Sequence, residues 1–100
     1  MFLQRIVFKA KYGKSLDVVE VIKRFEPLAK RYGFPLGRVY TDVVGRFDTV
    51  VWEAEFEDLN QLEEASQRGF QDPEFARWFE MLQPMIDHGY RELFRLEHHW

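Results

Sequence analysis

Arg5, Tyr40, Glu53, Glu55, Arg91 and Arg95 stand at alternate positions of segments that read as β-strands, Phe2–Lys9, 38–44, 47–56 and 90–96. On one phase of the alternation all six share a sheet face. Arginine and glutamate brought together there can do two things. Where water is excluded, a carboxylate with a raised pKa can serve as a general base, while arginine and tyrosine orient a substrate. Otherwise, opposite charges pair across neighbouring strands and fix their register. The residues leave both readings open. Tyr40, Glu53 and Arg5 are the catalytic candidates, and Arg5, Tyr40, Val51, Glu53, Arg91 and Leu93 form the candidate ligand-binding set.

The histidines offer less. His88 falls in what reads as the last turn of a helix ahead of Gly89, where the negative end of the dipole favours an imidazolium cap. Its functional alternative is a base or an axial ligand. His98 and His99 beside Glu97 lack a spaced third ligand, and adjacent residues of an extended chain point apart. No metal site and no cofactor are expected. The absence of cysteine removes thiolate chemistry and disulfides together.

Acidic residues number 17 against 14 basic, and no Lys/Arg cluster forms the face that nucleic acid requires. No apolar run reaches membrane-spanning length. The opening MFLQRIVFKAKYGKS carries Arg5, Lys9 and Lys11, so it reads as a strand and not as a signal peptide. A cytoplasmic location is expected.

These side chains need elements to position them. Phe2–Lys9 alternates as a strand, and Tyr12–Ser15 reads as a turn with Ser15 as N-cap. Val18, Ile22, Phe25, Ala29 and Tyr32 recur at helical spacing, with Gly33 as the stop. Residues 38–44 and 47–56 read as a hairpin about Gly45-Arg46. Asp58 caps a short helix to about Arg68, ended by Gly69. Asp72 caps the next helix, with Pro73 in its first turn; Pro84 should bend its last turn and Gly89 end it. Residues 90–96 alternate as the last strand. Proline followed five or six residues later by glycine, then a strand, occurs in both halves (Pro27/Gly33 and Pro84/Gly89), which suits a pseudo-twofold chain.

Strand, helix, strand, strand, helix pair, strand is an α+β order that folds most simply as a ferredoxin-like βαββαβ sandwich. Four strands then form one sheet with the helices on one face, in a single domain over residues 1–97 with a tail at 98–100. Alternation places Phe2, Ile6, Phe8, Val39, Val43, Val50, Trp52, Phe56, Tyr90, Phe94 and Leu96 under the helices. The opposite row mixes Leu3, Val7, Tyr40, Val44, Val51 and Leu93 with the charged residues. It is too apolar to stay wet and too charged for a closed core. A second sheet from a twofold homodimer satisfies both requirements.

The order of elements, with Asp72-Pro73-Glu74-Phe75, Trp78-Phe79, Pro84, Gly89 and a last strand carrying Arg91-Glu92, resembles the dimeric α/β-barrel superfamily. Within it the chain is most similar to NIPSNAP-like and antibiotic-biosynthesis-monooxygenase-like proteins. The resemblance implies a homodimer whose sheets face each other as a barrel. It implies no one activity, because the superfamily spans cofactor-independent monooxygenases, haem-degrading enzymes, peroxidases and lactone isomerases. The haem-degrading branch uses an Asn on the first strand, a Trp on the third and a helix His. Here Trp52 is present, but Gln4 or Arg5 replaces the Asn and the 58–68 helix has no His.

The expected function is binding of a small hydrophobic or aromatic molecule between the sheets, with cofactor-independent monooxygenase-like chemistry as its enzymatic form. The alternatives are a non-catalytic binding module for such a molecule, haem through His88 among them, and a regulatory dimer whose barrel is filled by its own side chains.

Overall fold

The computed structural model describes residues 1–100. β1 (Phe2–Ala10) is central and runs antiparallel to both β3 (Thr49–Phe56) and β4 (Ile86–Arg95), with β2 (Arg38–Thr41) on the outer edge of β3. The order β2-β3-β1-β4 is the ferredoxin-like one. α1 (Ser15–Lys23) and α2 (Glu26–Tyr32) cross from β1 to β2, and α3 (Leu59–Phe70) and α4 (Pro73–Leu82) cross from β3 to β4. Val18, Ile22, Leu28, Ala29, Trp78 and Leu82 of the helices pack with Ala10 and Val50 of the sheet in one apolar cluster. All helices therefore cover one face, as the order of elements predicts.

Local chemistry sets most of the ends. Gly33, at φ 83°, terminates α2 in the left-handed region. Asp58 accepts from the Gln61 N–H and Asp72 from the Glu74 N–H, the two expected caps. Ser15 does not cap α1. Lys14 holds that position, and the Ser15 hydroxyl donates instead to Asp48 at 2.6 Å. The helix expected from Ser15 to Tyr32 is broken at Arg24-Phe25, because Pro27 has no N–H for the Lys23 carbonyl. β2 stops at Thr41, since the Asp42 side chain takes the Thr49 N–H and closes the hairpin early. Val43 and Val44 thus lie outside the sheet, 96% and 92% exposed, and belong to neither face.

The second half departs further. Gly69 does not end α3, which runs on to Phe70; it lies against the Tyr32 ring, where a Cβ would sit 3.6 Å away. α4 ends at Leu82, Pro84 occupies a 3-10 turn over Gln83–Met85, and β4 begins at Ile86. His88 is consequently a strand residue opposite Lys9 and caps no helix. Gly89 is likewise no stop signal. It lies opposite Phe8, where a Cβ would come within 2.9 Å of the Val7 carbonyl oxygen.

The phase of β4 is the largest correction. Ala10 pairs with Ile86 and Lys9 with His88, leaving Asp87 as an extra residue in a bulge. Beyond it, Gly89, Arg91, Leu93 and Arg95 pair with Phe8, Ile6, Gln4 and Phe2, all on the helix side. Tyr90, Glu92 and Phe94 pair with Val7, Arg5 and Leu3 on the open side. Alternation had placed these two rows the other way round. Each row of β4 carries both apolar and charged residues, so hydrophobicity could not choose between them. Cross-strand contacts accommodate the charges: Arg5 lies 5.7 Å from the centre of the Phe94 ring, and Arg95 5.7 Å from that of Phe2.

Candidate functional site

On the open face, Arg5, Tyr40, Val51 and Glu53 surround a shallow hollow, joined by Val7, Tyr90 and Glu92. Arg5 and Glu53 are direct cross-strand partners. The Arg5 Nε and Nη2 both approach Glu53 Oε2 at 2.8 Å. This is the charge ladder that alternation allowed. On β2, Arg38 has its pKa raised, first by the Tyr40 hydroxyl and then by Glu55 and Glu53. Arg91 and Leu93 are absent from this cluster. The bulge carries them to the other side of the sheet, so the six-residue set divides into four and two.

The larger enclosure lies on that other side. A cavity of about 490 Å³ separates the sheet from α3 and α4, and 14 of its 20 lining residues are hydrophobic. Ile6, Trp52 and Ala54 contribute from the sheet, Phe75, Trp78 and Phe79 from α4, and Phe70 from the end of α3. Rings dominate the wall: Phe75 stacks on Phe79 at 6.3 Å and 11°, and Trp78 meets Trp52 edge-on at 6.3 Å. Phe70 is 77% exposed and Phe79 43%, although both line the cavity, which places them at its rim. Phe79 is therefore no core residue, unlike Trp52 and Trp78. Gln4, Ser66 and Arg91 are the principal polar groups.

Around this space the helices are pinned to one another by hydrogen bonds. Trp78 donates its indole N–H to the Val21 carbonyl at 2.7 Å, tying α4 to α1. The Tyr32 hydroxyl donates to Asp72 at 2.6 Å and Arg31 to the same oxygen at 2.8 Å, tying α2 to the start of α4. Arg68 donates to the Tyr32 carbonyl at 2.8 Å, tying α3 to α2. Burial, followed by the bond to Asp72, pushes the Tyr32 phenol up to about 12. The Tyr32 hydroxyl, the Glu74 N–H and Arg31 hold the Asp72 carboxyl below its ordinary value. Beneath this brace, inward positions of the sheet carry Ala54 and Gly89, too small to reach the roof.

Sequence reasoning missed this cavity, yet its signal was present. Gln4 and Ala54, paired across β1 and β3, interrupt the large apolar residues of the inward row. A polar residue and a small one at core phase, below an aromatic-rich helix, leave volume unfilled. No group of three His, Cys, Asp or Glu side chains is arranged to hold a metal ion. No helix is long and apolar enough to cross a membrane.

No protein-family model and no curated protein matches the chain. Solved structures match it closely in shape. An uncharacterised NIPSNAP-domain protein from Burkholderia xenovorans superposes with a TM-score of 0.86 at 15% identity, covering 96% of this chain and 94% of that one. A NIPSNAP family protein of unknown function from Agrobacterium tumefaciens gives 0.83 at 18% identity, covering 94% and 86%. SnoaB, a cofactor-independent oxygenase from Streptomyces nogalater, gives 0.75 at 16% identity, covering 98% and 94%. The chain has the ferredoxin-like α+β fold shared by NIPSNAP-domain proteins and antibiotic-biosynthesis-monooxygenase-like proteins.

Proposed function

We propose that two copies of this chain pair through their open sheet faces as a cytoplasmic homodimer, and that each binds a small, flat, hydrophobic molecule between its sheet and its helices. The unit that does so is the single domain over residues 1–97. The observation that carries the binding reading is the ring-lined cavity of about 490 Å³, a volume suited to a small organic ligand. Pairing rests on the open face, where Leu3, Val7 and Val51 lie beside Tyr40, Tyr90 and Phe94, the last three substantially exposed. The Arg5–Glu53 pair on that face supplies register and polarity to the interface.

Native mass spectrometry of the purified protein tests both halves of the reading. A dimer with dissociable extra mass, or one that takes up a neutral planar dye with quenching of Trp52 and Trp78 fluorescence, is the expected result. A monomer at micromolar concentration would remove the dimer, and a protein that takes up no planar apolar compound would remove the cavity's role. Consumption of oxygen with a bound phenolic ligand, without added flavin or metal, would place the protein with enzymes such as SnoaB. Binding without turnover would leave the non-catalytic module.

A second reading keeps Arg5, Tyr40, Val51 and Glu53 as a ligand-facing set, with Tyr40, Glu53 and Arg5 as its reactive groups. Their grouping around the open-face hollow favours it. Loss of ligand uptake in Glu53→Gln, with uptake unaltered in variants of the helix-side cavity, would select this reading over the first.

A further inference from the structure

Arg91 is the only lysine, arginine, aspartate or glutamate among the 20 residues lining the helix-side cavity. It takes part in none of the seven ion pairs of the chain. Its inward neighbours across and along the sheet are Ile6, Gly89 and Leu93, which offer no carboxylate. Glu92, next in sequence, points to the opposite face with Arg5. One guanidinium outside any ion pair therefore stands at the exposed margin of an aromatic enclosure, in a molecule whose net charge is −3. Gln4, one inward step along β1 from Ile6, also lines the cavity and adds an amide donor.

A positive group at the margin of an apolar space is screened less on the side that faces the space, so an anion seated there is attracted more strongly than one in open solvent. Guanidinium recognises a carboxylate or sulfonate through two parallel N–H donors, a planar arrangement that also stacks against rings. Resting on the binding role given to this cavity above, we propose that its ligand is a planar aromatic acid carrying one negative charge, held by Arg91 with Gln4 as a second donor. The walls specify the rings, through Trp52, Phe75, Trp78 and Phe79, and the single arginine specifies the single charge. A saturated chain of the same volume would forgo the ring contacts.

Two fluorescent probes with one skeleton test this. 1-Anilinonaphthalene-8-sulfonate and N-phenyl-1-naphthylamine differ by the sulfonate alone, and each is titrated into the intact protein and into Arg91→Met and Arg91→Lys. The expected result is that Arg91→Met weakens the sulfonate about tenfold or more while changing the neutral probe by no more than about twofold. Arg91→Lys keeps the charge but not the paired donors, so its sulfonate affinity should fall between those of the unaltered protein and Arg91→Met, and each probe should displace the other. In the unaltered protein, added salt should weaken the sulfonate alone, a measurement independent of any variant. Equal loss of both probes in Arg91→Met, an unchanged sulfonate affinity, or sulfonate bound without competition from the neutral probe would each overturn the proposal. Failure of the neutral probe to bind the unaltered protein would overturn the cavity reading beneath it.

Discussion

Replacing Ala54 by isoleucine separates an open cavity from a space that side chains fill in solution. Ala54 sits on the helix side of β3 opposite Gln4 and lines the cavity, so three added carbons enter free volume. At about 0.8 kcal/mol for each buried methylene the gain is at most about 2.4 kcal/mol. Ordering an isoleucine side chain offsets roughly 0.5–1 kcal/mol of that. The residue is β-branched and sits in a strand, so propensity does not oppose the change. A net stabilisation of about 1.5 kcal/mol remains, or a rise in Tm of roughly 6–12 °C for a domain of this size. Thermal and urea unfolding followed by circular dichroism would measure it, and affinity for N-phenyl-1-naphthylamine should fall in parallel because ring space is lost. If the site were already filled, the same substitution would cost about 1–3 kcal/mol through overpacking. A lower Tm would refute the cavity.

Gly37→Ala should be among the most damaging substitutions in the chain, since an added Cβ would fall 1.6 Å from the Glu53 carbonyl oxygen; we expect a loss of about 3 kcal/mol or more in urea unfolding. Tyr32→Phe should cost about 1 kcal/mol at neutral pH by removing one donor from Asp72, which keeps Arg31 and the Glu74 N–H. Its pH profile is more telling. Asp72 is depressed in the folded chain, so its contribution is complete above the ordinary carboxylate range and is lost as pH falls through the depressed value. Tyr32 is raised to about 12, so its contribution is complete below the ordinary phenol value of 10.0 and is lost as pH rises towards 12. Tyr32→Phe should abolish the alkaline slope and flatten the acid one, read by urea unfolding across the pH range. Val7→Glu adds a like charge to the open face near Glu53 and Glu92; on the proposed pairing, sedimentation should show a dimer for the unaltered chain and a folded monomer for the variant.

What the sequence revealed, and what it hid, follows from how strongly each segment constrains itself. β1 and β3 alternate with large apolar residues on one phase, and the inward row of Phe2, Ile6, Phe8, Val50, Trp52 and Phe56 was legible from that alone. The caps at Asp58 and Asp72 were legible because a side-chain oxygen two or three residues ahead of a free N–H is a local device. β4 was not, because its two rows are alike in character and its phase is set by pairing with β1. Gly89 was misread for a related reason: glycine stops helices, but it also permits close approach in a sheet, and only the neighbouring Val7 carbonyl decides between them. The Arg5–Glu53 contact followed from alternation, whereas the cavity is a property of the sheet and the helices together and no single segment encodes it. Its only local traces were Gln4 and Ala54 at positions where bulk was due.

The bulge at Asp87 has a consequence for how this chain tolerates changes in length. A strand running straight from the inward Ile86 would turn Tyr90, Glu92 and Phe94 towards the cavity; the extra residue turns Gly89, Arg91 and Leu93 there instead. Deleting Asp87 would therefore regularise the ladder and leave the inward row as it stands. Deleting Tyr90, only three positions on, would send Arg91 to the open face and bring Glu92 inward. Two single-residue deletions in one strand would thus have opposite outcomes, one silent for the cavity and the other reversing the sign of its charge.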